Sequence, residues 1–474
     1  MHQKDKPKQI IKNIEVVDAG SDGQAVGKWN DYVVFIKNAV PGDIVDVQVT
    51  RKKRKYAEAK VIEYIKLSDK RTKPECEHFG ICGGCKWQNM SYENQLYYKQ
   101  KQVADALQRI GKITLPEIMP IIPSAKKYYY RNKLEYTFSN KMWLTEEQIE
   151  SKAEFANRNA LGFHIPGMFD KVLDINNCYL QEEPSNSIRL EIKKYALEKG
   201  LTFFDIRSQA GLLRTLLIRT ASTGEVMVIP VFYENNMEAI EGVLDHLHKT
   251  FPQITSLMYV INSKRNDTIS DQEVILYKGN PYLIEEMEGL KFKVGPKSFY
   301  QTNSQQAYEL YKVAREFADL KGTETVYDLY TGTGTIANFV ASKAAKVVGI
   351  EYIEPAIIDA KQNSLLNNIN NTVFYSGDIK DVLTTDFINA NGKPSVIITD
   401  PPRVGMHEDV TLKIKEVAPE KIVYVSCNPS TQARDILLLS DNYSVSKIQP
   451  VDMFPQTHHV ENVVLLIKNN TKLT

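Results

Sequence analysis

The chain has little cysteine, almost no net charge and no long apolar run. It carries 5 cysteines among 474 residues and a formal charge of +1 at pH 7. No apolar stretch approaches the roughly 20 residues of a membrane span, and the opening MHQKDKPKQI lacks the apolar core of a signal peptide. We therefore expect a cytoplasmic protein without a membrane anchor. In that reducing compartment, five cysteines indicate metal binding or catalysis rather than disulfides.

The balance of residue types is that of a globular protein with several domains. Hydrophobic residues make up 43% and charged residues 25% of the chain, and its length predicts two to four domains. No internal repeat or low-complexity tract is present. The near-zero net charge does not exclude nucleic acid as a partner, because one basic face suffices to bind it.

Residues 1–66 read as short strands separated by glycine and proline turns, which predicts a small β-barrel. The predicted strands are Ile10–Val17, Asp31–Ile36, Asp43–Thr50 and Tyr56–Tyr64. Between the last two lies the basic run Arg51–Lys55. Such a run can neutralise RNA phosphates, or it can be the solvated tip of a hairpin, and the run alone does not decide.

Residues 67–290 form a mixed central stretch, with a predicted helix at Tyr92–Ile110 and predicted strands at Leu212–Thr220 and Glu225–Phe232. The segment Tyr128–Lys133 combines three tyrosines with an arginine and a lysine, and it could stack on bases and hold phosphates. Tyrosines packed in the core of an ordinary strand are the simpler interpretation, and the segment taken alone favours it.

Residues 291–474 alternate between strand and helix, the rhythm of a doubly wound α/β domain. Ligands bind to such domains at the carboxyl ends of the strands. The predicted strands are Thr325–Leu329, Val347–Ile350, Thr372–Tyr375, Ser395–Thr399, Ile422–Val425 and Val460–Ile467.

The ends of four of these strands carry the residue types of a nucleotide-like cofactor site. The first ends in a glycine turn containing Gly332, which lets the backbone approach a ligand closely. The next three end in Glu351, Asp378 and Asp400. The glycines alone do not exclude NAD, because Ala337 is tolerated in that fingerprint. The acid at each of three further strand ends favours S-adenosylmethionine instead.

A cysteine and a carboxylate follow in the last two strands. Cys427 lies in a polar turn at the end of the fifth strand, where its side chain would face the ligand crevice. Glu461 begins the strand after it and could act as a general base. Taken singly, a buried thiol and a surface carboxylate remain the simpler interpretations.

Four motifs occur together and in order, and over about residues 290–474 the chain closely resembles the RNA uridine-5-methyltransferase family. They are Ser298–Asn303, Asp400–Arg403, Ser426–Pro429 and His458–Glu461. The resemblance implies that Cys427 is the nucleophile and Glu461 the base that removes the C5 proton. It implies that Phe299 packs near a flipped uracil. The residues implied to contact S-adenosylmethionine or the target base are Gln301, Tyr330, Glu351 and Asp400.

The remaining cysteines form a second motif, with Cys76, Cys82 and Cys85 close together and Cys178 far downstream. By spacing they could ligate zinc or an iron–sulfur cluster. They resemble the four-cysteine [4Fe–4S] site of the branch of the family that modifies 23S ribosomal RNA, and residues 1–66 resemble the TRAM domain, an oligonucleotide-binding-fold (OB-like) RNA module.

The fold we predict is therefore multidomain. A TRAM-like barrel (1–66) precedes a central α/β domain with the iron–sulfur loop and an RNA-binding surface (67–290) and a Rossmann-like methyltransferase domain (291–474). Transfer-RNA enzymes of the family usually lack the barrel and the cluster, so we expect large-subunit ribosomal RNA as the partner. We expect a monomer with no obligate protein partner.

Three other functions compete with this interpretation. A cytosine-5 methyltransferase also uses a cysteine, but commonly after proline, and Asp400 suits the N3–H that uracil has and neutral cytosine lacks. An inactive iron–sulfur RNA-binding protein would not need Cys427 and Glu461. A radical S-adenosylmethionine enzyme would show a Cys-x3-Cys-x2-Cys spacing, which is absent.

Overall fold

The computed structural model describes residues 9–151 and 157–469. The first eight residues of the predicted barrel range, most of the opening segment judged for a signal peptide, and the last five residues of the predicted methyltransferase range lie outside the described residues.

The N-terminal barrel closes five strands in the order β1-β2-β3-β5-β4 around a small apolar core. They are β1 (Ile10–Ala19), β2 (Ala25–Trp29), β3 (Tyr32–Lys37), β4 (Ile44–Lys52) and β5 (Tyr56–Lys66). The sequence prediction missed β2 because Gly27 reads as a turn residue. Here Gly27 serves packing instead, since a Cβ would lie 2.9 Å from Cδ1 of Ile14.

The central stretch builds a seven-stranded sheet in the order β12-β11-β10-β9-β6-β7-β8, with helices against it, followed by the hairpin β13-β14. The predicted boundary between residues 290 and 291 falls inside the second strand of this hairpin. The elements are α1 (Tyr92–Arg109), β6 (Lys133–Ser139), α2 (Glu146–Glu150), β7 (Ala160–Ile165), β8 (Met168–Asp174), α3 (Ser185–Glu198), β9 (Leu213–Thr220), β10 (Val226–Phe232), α4 (Met237–Thr250), β11 (Ser256–Ile261), β12 (Ile275–Gly279), β13 (Leu283–Met287) and β14 (Leu290–Val294).

Helix α1 precedes this sheet in the chain but packs elsewhere. Its buried residues Val103 and Leu107 belong to the apolar core beneath the C-terminal sheet. Just after it, Ile118 and Ile122 make parallel bridges to the strand at that sheet's edge. Residues 92–122 thus brace the C-terminal domain from outside its sequence range.

The C-terminal domain is a seven-stranded sheet in the order β17-β16-β15-β18-β19-β21-β20, with helices on both faces. The first five are parallel and β21 runs antiparallel to both of its neighbours. The elements are α5 (Ser304–Ala318), β15 (Thr325–Leu329), α6 (Thr335–Ala341), β16 (Lys346–Glu351), α7 (Glu354–Leu366), β17 (Thr372–Ser376), α8 (Ile379–Val382), α9 (Thr385–Asn391), β18 (Val396–Thr399), α10 (Glu408–Val417), β19 (Lys421–Ser426), α11 (Pro429–Leu439), β20 (Tyr443–Val451) and β21 (Glu461–Lys468).

Candidate active site

The pairing of β19 with β21 brings Cys427 and Glu461 to the same end of these two strands. The antiparallel pairing ends at Ser426 against Asn462, and Cys427 and Glu461 are the residues adjacent to this last pair. The two are close enough for the charge of Glu461 to act on the thiol of Cys427. Cys427 is half-buried in the turn before α11, whereas Glu461 is only 3% exposed. The two residues that sequence analysis singled out for catalysis therefore meet at one edge of the sheet.

The same edge brings three of the predicted cofactor residues into a row. Leu329 of β15 pairs with Ile350 of β16 and with Thr399 of β18. The residues that follow each of these are Tyr330, Glu351 and Asp400. Because β18 also neighbours β19, the row continues towards Cys427.

The glycine turn after β15 is held open towards this row. The Gly332 N–H donates to Oε2 of Glu351 at 3.2 Å, and the Ile353 N–H donates to Oε1 of the same carboxylate at 3.0 Å. Gly332 has φ +54°, and a Cβ there would meet nothing within 4 Å. The backbone at Gly332 is thus exposed to a space that a ligand can fill.

Asp328 is a site residue to which sequence analysis gave no role. Its side chain is fully buried, and its Oδ2 accepts from Oγ1 of Thr331 at 2.5 Å and from the Ala337 N–H at 3.1 Å. Burial raises the pKa of Asp328 to about 7. These two contacts fix the shape of the glycine turn. In the sequence, the position of Asp328 shortly before the glycines was the signal that could have identified it.

Asp378 follows β17 and fits two interpretations at once. It caps the N-terminus of α8, since its Oδ1 accepts from the Lys380 N–H at 3.2 Å, and this is a purely structural role. It also lines a cavity of about 540 Å³ together with Tyr330 and Tyr352, next to the row of strand ends.

The motif at 298–303 supplies one exposed ring and one anchored residue. The Phe299 side chain is 69% exposed, as a ring available for stacking must be. The carbonyl of Gln301 accepts from Nδ2 of Asn132 at 2.9 Å, which ties this loop to the central domain.

The surroundings of Cys427 and Glu461 favour the protonated forms of both side chains. Burial, with Glu461 and Asp400 nearby, raises the pKa of Cys427 to about 12. Burial and Asp400 raise the pKa of Glu461 to about 8, and burial raises the pKa of Asp400 to about 7. Three acidic groups share one partly dehydrated space, so each penalises the charge on the others.

Arg403 is the cation that opposes this effect, and sequence analysis gave it no role although it stands in the motif Asp400–Arg403. Its charge lowers the pKa of both Cys427 and Glu461 against the effect of burial. Its carbonyl accepts from Nδ2 of Asn428 at 3.0 Å, which fastens its loop to the turn that carries the cysteine.

The four remaining cysteines come together as the spacing suggested. Cys76, Cys82, Cys85 and Cys178 line one cavity of about 180 Å³. Burial, with the other three thiols nearby, raises the pKa of Cys85 to about 12. Among the residues that the structure describes, no group of three or more His, Cys, Asp or Glu side chains is arranged so that it could hold a metal ion.

The two basic segments are placed differently. In the run Arg51–Lys55 all five side chains are exposed, with Lys53–Lys55 forming the tip between β4 and β5. In the segment Tyr128–Lys133, Tyr130 is buried and its hydroxyl donates to the Pro455 carbonyl at 2.9 Å. The interpretation as packed tyrosines holds for Tyr130, while residues 128–132 form a loop and only Lys133 lies in β6.

The sheet order, the glycine turn and the acids at the strand ends define an S-adenosylmethionine-dependent methyltransferase, and the barrel adds a second domain to it. Residues 217–469 match the family described as tRNA (uracil-5-)-methyltransferase, and residues 11–62 match the TRAM domain. The chain belongs to the RNA uracil-5-methyltransferase family.

Relatives of similar length support this membership. A protein of Bacteroides thetaiotaomicron, described as an uncharacterized RNA methyltransferase, is 58% identical over 449 residues, which cover 94% of this chain and 99% of the relative. A Porphyromonas gingivalis protein with the same description is 57% identical, covering 96% of this chain and all of the relative.

A solved structure matches over nearly the whole chain. The Pyrococcus abyssi tRNA (uracil-54, C5)-methyltransferase, in complex with S-adenosyl-L-homocysteine, is 26% identical with a TM-score of 0.72. The match covers 96% of this chain and 99% of that one. Within residues 9–151 and 157–469, no helix has the length and apolarity to cross a membrane.

Proposed function

We propose that the protein methylates C5 of a uridine in RNA through a covalent adduct between Cys427 and C6 of the base. The observation that carries this proposal is that the pairing of β19 with β21 brings Cys427 and Glu461 together at the strand ends, next to Tyr330, Glu351 and Asp400. Carbon 5 of uracil is a weak nucleophile. Addition of a thiol to C6 overcomes this difficulty by activating C5 covalently.

The steps assign one role to each group. The Cys427 thiol releases its proton to solvent and its sulfur adds to C6, which moves electron density to C5 and O4. C5 attacks the methyl group of the sulfonium, and S-adenosylhomocysteine leaves. Glu461 then takes the C5 proton, the double bond re-forms and the Cys427 thiolate departs. Asp400 faces the base as an acceptor for its N3–H, and the target nucleotide must be unstacked for the thiol to reach C6.

The residues proposed to hold S-adenosylmethionine are Gln301, Tyr330, Gly332, Glu351 and Asp378. Glu351 supplies carboxylate oxygens for the ribose hydroxyls, while the open backbone at Gly332 leaves room for the methionine part. Tyr330 and Asp378 share the cavity that suits the adenine. Phe299 is proposed to stack on or beside the flipped uracil.

We propose a [4Fe–4S] cluster for Cys76, Cys82, Cys85 and Cys178. All four line one cavity of about 180 Å³. Their resemblance in spacing to the four-cysteine site of the ribosomal-RNA branch supports a cluster rather than zinc. When bound, the cluster would link the loop at residues 76–85 to Cys178.

For the RNA we propose large-subunit ribosomal RNA, with transfer RNA as the second candidate. The four cysteines favour the first. The Pyrococcus abyssi enzyme, which by its name acts on tRNA, matches 96% of this chain, and this favours the second. A match of that length includes most of the barrel, so the barrel does not separate the two candidates. We further propose a cytoplasmic monomer, since one chain carries every group that the reaction uses.

The test is to trap the adduct. Glu461→Gln with S-adenosylmethionine and unmodified transcripts of 23S rRNA or tRNA should give a band of protein joined to RNA that survives SDS. The double variant with Cys427→Ala should give none. A band with only one transcript identifies the substrate. No band with either transcript, from a variant that still binds the cofactor, would refute the covalent mechanism.

A further inference from the structure

The catalytic base is joined to the end of β20 by a turn that is buried although it is polar. This turn comprises residues 452–457 and is called the base turn here, because Glu461 follows it as the first residue of β21. Within it Asp452, Gln456 and Thr457 are each no more than 4% exposed. Buried polar groups are tolerated only where partners satisfy them, so the contacts of this turn determine its position.

Four consecutive carbonyls of the base turn are each held by a different part of the chain. The donors are Asn303 Nδ2 to Met453 at 2.9 Å, Lys99 Nζ to Phe454 at 3.0 Å, Tyr130 Oη to Pro455 at 2.9 Å, and the N–H groups of Lys86 and Trp87 to Gln456 at 2.9 and 3.0 Å. Helix α1, the loop before β6, the segment just after Cys85 and the motif Ser298–Asn303 therefore all donate hydrogen bonds to this one turn.

Helix α1 contacts the base turn through Gln95 and Lys99, two side chains that lie one helical turn apart. Lys99 and Asp452 are both fully buried, and their Nζ and Oδ1 are 2.5 Å apart. Gln95 accepts from the Gln456 N–H at 2.9 Å and donates to its side-chain oxygen at 3.0 Å. The same Gln95 amide donates to the Trp87 carbonyl at 2.9 Å, which ties the helix to the segment after the cysteines.

The backbone of the turn needs this support. Gln456 has φ +67°, a left-handed conformation that a non-glycine residue adopts only when its surroundings impose it. Hydrogen bonds on its N–H, its carbonyl and its side chain impose it here. Without them the chain from Gln456 to Glu461 would be free to relax.

We propose that Gln95 and the base turn position Glu461 for removal of the C5 proton, so that Gln95 is a positioning residue for this step of the reaction. The inference rests on the proposed function. A shift of about 1 Å at a reacting group costs on the order of 100-fold in rate. Cys427 lies between β19 and α11, on a different segment from this turn. Loosening the turn should therefore slow proton removal and spare the earlier addition and methyl transfer.

The experiment compares Gln95→Ala with Gln108→Ala, the same change at an exposed position of the same helix. Each variant is mixed with S-adenosylmethionine and whichever transcript the wild type methylates. We expect Gln95→Ala to lower kcat about 10- to 100-fold, to leave kcat/KM within about twofold because the irreversible methyl transfer comes before the slowed step, and to accumulate the SDS-stable adduct. Gln108→Ala should behave as wild type. A slowed Gln95→Ala that accumulates no adduct, or loses cofactor or RNA affinity instead, would show a merely structural role.

Two further variants keep the outcomes distinct. Tyr130→Phe removes only the hydroxyl on Pro455, and if Gln95→Ala does not fold it decides the question by accumulating adduct or not. Glu461→Gln tests the proposed function itself. If Glu461→Gln traps RNA while Gln95→Ala and Tyr130→Phe turn over as wild type, this inference fails and the proposed function stands. If Glu461→Gln traps nothing, the proposed function fails.

Discussion

Release of the methylated RNA should follow the ionisation of Glu461. Burial and the neighbouring Asp400 raise its pKa to about 8, and only the carboxylate can accept the C5 proton. The ionised fraction then rises from roughly one tenth at pH 7 to roughly nine tenths at pH 9. The rate at which the covalent adduct resolves should therefore rise about tenfold over that range.

The assay is a rapid mix of wild-type protein, labelled transcript and S-adenosylmethionine at pH 6.5 to 9.5, quenched into SDS. The adduct is followed as it gives way to free methylated RNA. Arg403→Gln removes the charge that lowers the pKa of Glu461, so its profile should move to higher pH. Arg109→Gln, an exposed and remote arginine, should leave the profile in place. An adduct that resolves at one rate across this range would refute the assignment of Glu461 as base.

Three further outcomes are expected. Cys427→Ala should abolish methylation and keep S-adenosylmethionine binding by calorimetry, and loss of binding would make the residue structural. Replacing Lys53–Lys55 by alanine should weaken RNA binding and reduce the slope of log affinity against log salt by roughly two, whereas an unchanged slope would mean a solvated loop. Glu461→Gln should have a higher Tm than wild type at pH 9 but not at pH 4. A carboxyl whose pKa is raised by folding contributes stability at low pH, and this stability is lost as the pH rises towards 8. A variant with the same Tm as wild type at both pH values would contradict the burial of Glu461.

The sequence was most informative where strands alternate with helices. Six of the seven strands from Thr325 onward were predicted within a few residues, since buried parallel strands read as apolar runs ended by turns, whereas the edge strand β20 was missed. The resemblance to the family predicted that Cys427 and Glu461 act together, and the paired strands β19 and β21 bring them to the same end of the sheet. Their roles, like those of the cofactor residues, remain predictions.

Other features depend on contacts that no local pattern contains. A helix was predicted over Tyr92–Ile110, which is α1, but its buried face packs against a domain more than 200 residues later in the chain. Gly27 was taken for a turn because a glycine that allows close packing within a strand looks the same in sequence. The effect of Arg403 on the pKa values of Cys427 and Glu461 depends on its distance from them, and only the folded chain determines that distance.

The central claim is most directly tested by incubating the protein with labelled S-adenosylmethionine and unmodified total RNA, then digesting the RNA and analysing its nucleosides by mass spectrometry. The account predicts label in 5-methyluridine, recovered from the large ribosomal RNA. The same nucleoside from transfer RNA would keep the chemistry and replace the substrate. Label in 5-methylcytidine, or no methylated uridine from a protein that binds the cofactor, would contradict the account.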